Sequence, residues 1–287
     1  MEQGDRSQRA YRAGARIARE RMANEAPADA RALAEVEASD VVVVGGCYDR
    51  VERVLDAFAM PYTSLSGAQL GAVHLRPEQL LVVNCPGNLG RAEIARIEDF
   101  VAHGGSLFTT DWALRHVIEP GFPSTIAYNE RPTRDDVVRV EIRDHDNPLL
   151  DGVMDGRDDP QWWLEGSSYP IKVLDHDRVK VLIASRDMEA KYGAAPIAVL
   201  FRHGAGEVLH MVSHYYLQRT ELRSKRHGMA AASYAAEKGV AASPALLADM
   251  KDMFLGEVEA AGSSARLFAN AVAHKKRKSE TRSNAHG

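Results

Sequence analysis

The chain has 287 residues, of which 45% are hydrophobic and 26% are charged, so it can bury a sizeable core in one large domain with room for appendages. Its formal net charge of −4 is the sum of six Arg and three acids in residues 1–21, six basic residues and one acid in 264–287, and 24 basic and 36 acidic residues between them. This distribution excludes a wholly basic nucleic-acid-binding domain and leaves only the two ends for such a contact.

The first 39 residues are rich in Ala, Arg and Glu and predict a helical, Arg-rich extension. Four arginines fall three or four residues apart and share one helix face, which favours a solvated face over a contact with nucleic acid or membrane: Arg9, Arg12, Arg16 and Arg19. The segment has no apolar core, so it does not resemble a secretory signal. The apolar run at 41–48 is also far too short to cross a bilayer.

Strands and helices alternate from residue 40 onward. Val41–Val44 is a β-branched run typical of a strand buried on both faces. Further strands are predicted at 62–65, 80–84 and 106–109, and helices at 51–58, 94–101 and 111–118. Elements of these lengths predict parallel βαβ units in an α/β fold, with helices on both faces of one sheet.

The pattern changes after Val137, where antiparallel additions to the sheet are predicted. Alternating apolar residues lie at 138–142, and strands are expected at 171–174, 179–184, 197–201 and 207–213. The last two strands flank a hairpin loop, Arg202–Gly206. Residues 218–273 predict a helical C-terminal segment and 274–287 a disordered basic tail. One apolar helical stripe is expected to pack on the body or, as the second choice, to form a homo-oligomer contact: Leu246, Leu247, Met250, Met253, Phe254 and Val258.

The sequence lacks the short motifs that by themselves indicate a common function. It contains no dinucleotide fingerprint, P-loop, H-E-x-x-H, EF-hand or nucleophile elbow of the G-x-S-x-G type. The triplets at 144–146 and 175–177 each read Asp-His-Asp, but adjacent residues on an extended segment point to opposite faces, so polar turns are favoured over metal sites. We therefore predict neither a metal nor another cofactor. With only Cys47 and Cys85 present, no disulfide framework is possible, and a reducing cytoplasm is expected.

The predicted strand ends gather candidate site residues. In an open α/β sheet, ligands bind outside the carboxyl ends of the strands. A Cys, an Asp and a His expected at that edge could support nucleophilic or acid–base chemistry, which makes Cys85, Asp111 and His214 the catalytic candidates. The full set of candidate ligand-binding residues is Gly45, Gly46, Cys47, Tyr48, Asn84, Cys85, Gly87, Thr110, Asp111, Trp112 and His214.

Each catalytic candidate also has a purely structural interpretation, which is favoured when that residue is considered alone. Cys85 can be a small buried apolar residue. Asp111 can be the N-cap of the short helix that follows it. His214 can be a core histidine bonded to the backbone.

The ordered set of motifs resembles the class I glutamine amidotransferase-like superfamily, and within it the trehalose-utilisation-type branch. The matching pieces lie between residues 40 and 217: the first strand, the strand end at 81–87, and the segments 104–112, 145–152 and 204–214. The resemblance implies a flavodoxin-like core with a hairpin extension, to which helical N- and C-terminal appendages are added.

The resemblance does not extend to the family's glutaminase chemistry, which uses an elbow cysteine, a histidine and a glutamate two residues later. Here Thr110 and Asp111 occupy the elbow, His214 matches the histidine, and Tyr216 replaces the glutamate. The first hypothesis is therefore a catalytically degenerate domain that binds a small molecule or a partner protein. The alternative is a hydrolase that uses His214 with Asp111, or Cys85 as nucleophile. A third hypothesis makes Cys47 and Cys85 a redox pair on neighbouring strands.

Overall fold

A computed structural model describes residues 2–215 and 219–286, and the side chains of 4–215 and 219–281. The helices in these ranges are α1 Glu2–Glu25, α2 Pro27–Ala34, α3 Glu52–Ala57, α4 Gly67–Leu70, α5 Arg91–Ala102, α6 Glu119–Gly121, α7 Arg186–Tyr192, α8 Ala231–Glu237, α9 Pro244–Met250 and α10 Leu255–His286. The strands are β1 Val41–Val44, β2 Thr63–Leu65, β3 Leu80–Val83, β4 Ser106–Thr110, β5 Ile126–Tyr128, β6 Asp136–Arg139, β7 Glu141–Ile142, β8 Gln161–Leu164, β9 Ile171–Val173, β10 Val179–Ala184, β11 Pro196–His203 and β12 Gly206–Met211. A π-helical turn, Leu114–Ile118, leads into α6.

The main sheet has the strand order β2-β1-β3-β4-β12-β11-β10-β7. The first five strands of that order are mutually parallel, and the last three pair antiparallel. The chain is therefore α/β with a mostly parallel sheet, as the sequence predicts. The predicted hairpin forms between β11 and β12, and Gly204 in its tight turn has φ +56°, a conformation that favours glycine.

The sheet is buried on both faces, which explains the all-valine β1. Val41 and Val43 join one apolar cluster with α1, α3 and α10, whereas Val42 and Val44 join a second cluster with α5 and the π-helical turn. Because successive side chains of a strand point to opposite faces, a central parallel strand needs apolar residues at every position.

Two details of the predicted antiparallel region differ in the structure. The segment at 171–174 forms β9, which pairs with β5 in a separate two-stranded sheet instead of joining the main one. The alternating stretch at 138–142 is split, because β6 pairs with β8 while β7 forms the edge of the main sheet. β8 contains Trp162 and Trp163, both buried, and has no period-two pattern by which the sequence could have shown it.

The basic face of α1 is only partly solvated, because three of its four arginines contact the protein, which corrects the prediction in part. Arg12 and Arg16 contact the carboxylate of Asp249 in α9 at 2.9 and 3.2 Å. Arg9 donates to the backbone carbonyls of Ala248 and Asp249 near the end of the same helix, where the helix dipole favours a cation. Arg19 does stay exposed. The acidic body thus attracts its own basic extension.

At 274–286, where the sequence predicts the start of a disordered basic tail, the structure has a continuation of α10, which runs without a break to His286. The basic side chains at 275–278 contact the body. Lys276 pairs with Asp40 at 2.8 Å and Arg277 with Asp29 at 2.6 Å. The tail looks like a disordered segment in the sequence because its charges have no local partners, but the acidic groups that neutralise them lie far away in the chain.

Lys275 provides a test of this docking. Lys275 is 3% exposed. Its ammonium group donates to the carbonyl of Pro77 at 2.5 Å and to that of Gly104 at 2.7 Å. We expect Lys275→Met to lower the free energy of unfolding by about 2 kcal/mol, because two carbonyls lose a charged donor. Urea unfolding measures it. The neighbouring pair Arg277–Asp29 is exposed, so Arg277→Met is expected to cost under about 1 kcal/mol. Equal losses in the two variants would contradict the docking.

The predicted apolar stripe at 246–258 is not one helix, since α9 ends at Met250 and α10 begins at Leu255. Leu246, Met250 and Val258 pack into the body. Leu247 and Phe254 are 47% and 42% exposed, so a homo-oligomer contact at this place stays a prediction. In the described part of the chain, no helix is long and apolar enough to span a membrane.

Candidate functional site

Asp111 lies at the sharp turn that follows β4, with φ +43°. A positive φ is strained for a residue other than glycine and is found preferentially at functional sites. The carboxylate is fixed by the loop after β8, because Oδ1 accepts the Tyr169 N–H at 2.7 Å and Oδ2 accepts the Ser168 hydroxyl at 2.9 Å. Asp111 is therefore not the N-cap of the following helix, because its side chain is bound to another part of the chain.

His214 lies just beyond the end of β12 and is held between two carboxylates. Its Nε2 is 3.0 Å from Asp111 Oδ2, and its Nδ1 is 2.9 Å from Glu165 Oε2. Burial disfavours the charged imidazolium, but the contacts with Asp111, Cys85 and Glu165 outweigh it and hold the pKa of His214 well above its usual value. The backbone-bonded core histidine suggested by the sequence is not what the structure shows.

Cys85 follows β3 and completes the group. Its N–H donates to Thr110 Oγ1 at 3.1 Å, and its Sγ is 4.0 Å from Asp111 Oδ2. Burial raises the pKa of the Cys85 thiol, and the Asp111 charge adds to that effect, while His214 opposes it. The three catalytic candidates thus meet at the ends of β3, β4 and β12, which are neighbours in the sheet.

Asp49 is a buried carboxylate beside this group that the sequence did not single out. Its Oδ1 accepts the N–H groups of Tyr215 and Arg50, both at 2.7 Å. Burial raises the pKa of Asp49, and the His214 charge and the hydrogen bonds oppose the rise. Asp49 therefore anchors the turn that carries His214. Its position in a loop, among 40 acidic residues in the chain, gives no local signal of this role.

A cleft of about 140 Å³ opens at the group, lined by Tyr48, Cys85, Asp111, Trp112, Glu165, Gly166 and Ser167. One side of it is aromatic: the Trp112 ring lies 5.1 Å from Tyr48 and stacks on Tyr169 at 5.5 Å. The Trp112 indole N–H donates to the Ser167 carbonyl at 2.7 Å and fixes the ring. The lining thus combines polar and aromatic groups, which is a common composition for a small-molecule site.

The other predicted ligand-binding residues have contacts within the protein. Asn84 accepts the Val51 N–H at 3.2 Å and donates to Glu52 at 2.8 Å, which fixes the start of α3. Gly87 has φ +70° and packs against the π-helical turn, where a Cβ would lie 2.9 Å from Val117. Ligand roles for these two stay predictions.

The end of β1 approaches β3 closely. Gly45 donates to the Leu65 carbonyl at 3.0 Å. At Gly46 a Cβ would lie 2.1 Å from the Cys85 carbonyl oxygen, so only glycine permits this approach. Cys47 is exposed and Cys85 buried, and both are free thiols. The redox pair therefore stays a prediction.

Glu165 was also missed by sequence reasoning. The glutamate that orients histidine in the resembling family was sought at position 216, and Tyr216 lies outside the described residues. Glu165 contacts His214 from the loop after β8 instead. That strand pairs with β6 in the small sheet, so no spacing along the chain could have predicted the contact. The Asp-His-Asp triplets are turns, as expected: Asp175 Oδ1 accepts the N–H of Asp177 at 3.1 Å.

Comparison with known proteins gives fold-level similarity only. No family model matches the chain, and no curated protein matches it. Among solved structures, a putative ThuA-like protein from Bacteroides uniformis has 10% identity and a TM-score of 0.44, over 62% of this chain and 83% of that one. A β-galactosidase from Rahnella sp. R3 has 14% identity and a TM-score of 0.46, over 62% of this chain and 29% of the β-galactosidase. A cytoplasmic protein from Salmonella typhimurium has 10% identity and a TM-score of 0.42, over 61% of this chain and 87% of the Salmonella protein. The chain spans under a third of the β-galactosidase length.

Proposed function

We propose that this chain is a hydrolase of a small substrate bound in the cleft, with Asp111 and His214 as its acid–base pair. The observation that carries the proposal is His214 itself, buried between Asp111 at 3.0 Å and Glu165 at 2.9 Å. A catalytic histidine needs one ring nitrogen on the reacting side and the other fixed by an acceptor. Here Glu165 fixes Nδ1, and Nε2 contacts Asp111, which itself lines the cleft.

The geometry supports a division of roles. Asp111, which lines the cleft, is placed to accept a proton from an attacking water. His214 is buried 3.0 Å from Asp111 and can supply the leaving group's proton through that carboxylate. Glu165 orients the imidazole ring. The loop at 165–169 fixes Asp111. The aromatic wall restricts the substrate to a small molecule that fits against Trp112. The two free thiols fit the reducing cytoplasm that we propose for this reaction.

A catalytically degenerate binding module is the second candidate. The elbow where the resembling family has its nucleophilic cysteine carries Thr110 and Asp111 here. This difference favours the binding module. Such a module would bind a small molecule or a partner protein at the same cleft and would catalyse no reaction.

A substrate screen decides between the two. Purified full-length protein is assayed against ester, amide and glycoside libraries, and any hit is repeated with Asp111→Asn and His214→Gln. We expect at least a hundredfold loss of kcat/KM in each variant. Asp177→Asn and His176→Gln make the same chemical changes at exposed positions of a turn and should leave kcat/KM unchanged.

Two outcomes oppose the hydrolase. Ligand binding without turnover of any library member would favour the binding module. Turnover that both site variants retain would place the reaction elsewhere in the molecule. Circular dichroism of each variant distinguishes lost chemistry from lost folding.

A further inference from the structure

We propose that Cys85, Asp111 and His214 bind one divalent transition-metal ion, and that zinc is the ion their donor atoms fit best. Among the described side chains, their Sγ, carboxylate oxygen and imidazole nitrogen form a group of metal-capable atoms that all lie within 4.8 Å of one another. The inference keeps the hydrolase and its cleft but makes Asp111 and His214 ligands of the ion in place of an acid–base pair. Its catalytic meaning rests on the proposed function, and the binding itself does not.

The distances suit one shared ion. Nε2 of His214 is 3.0 Å and Sγ of Cys85 is 4.0 Å from Asp111 Oδ2. Zinc bonds of about 2.0–2.3 Å place two ligands of one ion roughly 3–4 Å apart. Each ligand comes from the carboxyl end of a different strand, and β3, β4 and β12 are adjacent in the sheet, so the rigid sheet sets the spacing.

A second layer of contacts already orients the ligands. Glu165 lies at His214 Nδ1, which leaves Nε2 for the ion and reproduces the carboxylate–histidine arrangement of metal sites. Asp111 is held through both oxygens, by the Ser168 hydroxyl and the Tyr169 N–H. The ligands therefore need little rearrangement to receive an ion.

Charge and access also fit a catalytic type of site. Each of the three residues is 1% exposed, and a buried divalent ion needs opposite charges close by. A thiolate and a carboxylate supply two. Sulfur and nitrogen donors select zinc and similar ions over magnesium or calcium. Cys85 and Asp111 line the cleft, so a fourth coordination position can face the substrate, as in catalytic zinc sites.

A metal at this position would change how water is activated. The ion would lower the pKa of a water bound at the open position, so that this water could release its proton to the solvent in the cleft near neutral pH and act as the nucleophile. Asp111 and His214 would then hold the ion, and Glu165 would keep His214 in place as a positioning residue.

The test uses the full chain after removal of bound metal with a chelator. Titration with ZnCl₂, followed by calorimetry, should show one site per chain. CoCl₂ should produce a thiolate-to-cobalt charge-transfer band. We expect Cys85→Ser, Asp111→Asn and His214→Gln each to weaken zinc binding at least a hundredfold, and Glu165→Gln to weaken it about ten- to a hundredfold. Cys47→Ser removes the other thiol and should leave affinity and band unchanged.

A second measurement needs no variant. Zinc should slow the alkylation of Cys85 by iodoacetamide while Cys47 reacts at the same rate, as read by peptide mass spectrometry. Absence of stoichiometric zinc binding, or a charge-transfer band that persists in Cys85→Ser, would overturn the metal site. Zinc binding without turnover would leave the site standing and refute the hydrolase. Turnover by metal-free protein that zinc does not alter would refute the catalytic meaning of the ion and leave the hydrolase standing.

Discussion

Gly14→Ala is expected to destabilise the protein by about 3 kcal/mol, although alanine is the better helix former. Gly14 lies in the middle of α1, where that helix crosses α10. A Cβ there would lie 2.6 Å from the Cα and 2.8 Å from the N of Gly262. These are backbone atoms of a buried helix, so no side-chain rotation can relieve the clash, and the two helices must move apart.

The matched control is Gly4→Ala in the same helix. A Cβ at Gly4 meets no atom within 4 Å, so only helix propensity acts, and a stabilisation of up to about 1 kcal/mol is expected. Urea unfolding of the two variants should give changes of opposite sign. A stabilised Gly14→Ala would mean that α1 and α10 do not cross in contact at this point.

Acid should destabilise the protein through His210 by about 3 kcal/mol between pH 6.5 and pH 4. His210 in β12 is fully buried, its Nδ1 lies 2.8 Å from Thr109 Oγ1, and its Nε2 has no hydrogen-bond partner among the described residues. Burial lowers its pKa from 6.5 to about 3, against a smaller opposing contribution from Thr109. Above pH 6.5 both the folded and the unfolded chain hold it neutral. Below that, only the unfolded chain gains the proton, so stability falls by about 1.4 kcal/mol per pH unit.

The measurement is the free energy of unfolding from pH 7.5 down to pH 4, in the wild type and in His210→Asn. Asparagine can keep a polar contact with Thr109 and does not titrate. In acid, the free energy of unfolding of His210→Asn should therefore fall less steeply with pH than that of the wild type, by about 1.4 kcal/mol per pH unit, which corresponds to one proton. His103→Asn is the control, because that side chain is 71% exposed, and its slope should match the wild type. Parallel curves for the wild type and His210→Asn would show that His210 is not held neutral.

The fold was predictable where one short segment carries its own evidence. Val41–Val44 reads as a strand because every position is β-branched, and both sheet faces do bury it. The hairpin at 202–206 reads correctly because two strand-like runs flank glycines. β8 and its two tryptophans were missed, because a strand buried at every position shows no alternation of apolar and polar residues.

The candidate site was only partly predictable. Because parallel strands share one carboxyl edge, the chain order placed Cys85, Asp111 and His214 at that edge, and the structure brings their side chains together. Glu165, Ser168 and Asp49 come from loops outside those strand ends, and no periodicity relates a loop to a site across space. The contact of Glu165 with His214 therefore required the structure.

The same distinction explains the charges. Periodicity and composition are properties of short stretches of chain, so they suffice to predict the alternating α/β core and an acidic body with two basic ends. The binding of those ends to the body as helices, through Arg12, Arg16 and Lys276, is visible only in the folded chain. The same holds for the position of His214 between two carboxylates. Ion pairs and buried polar contacts depend on where distant residues meet, and that is set by how the helices and sheet pack rather than by any local pattern.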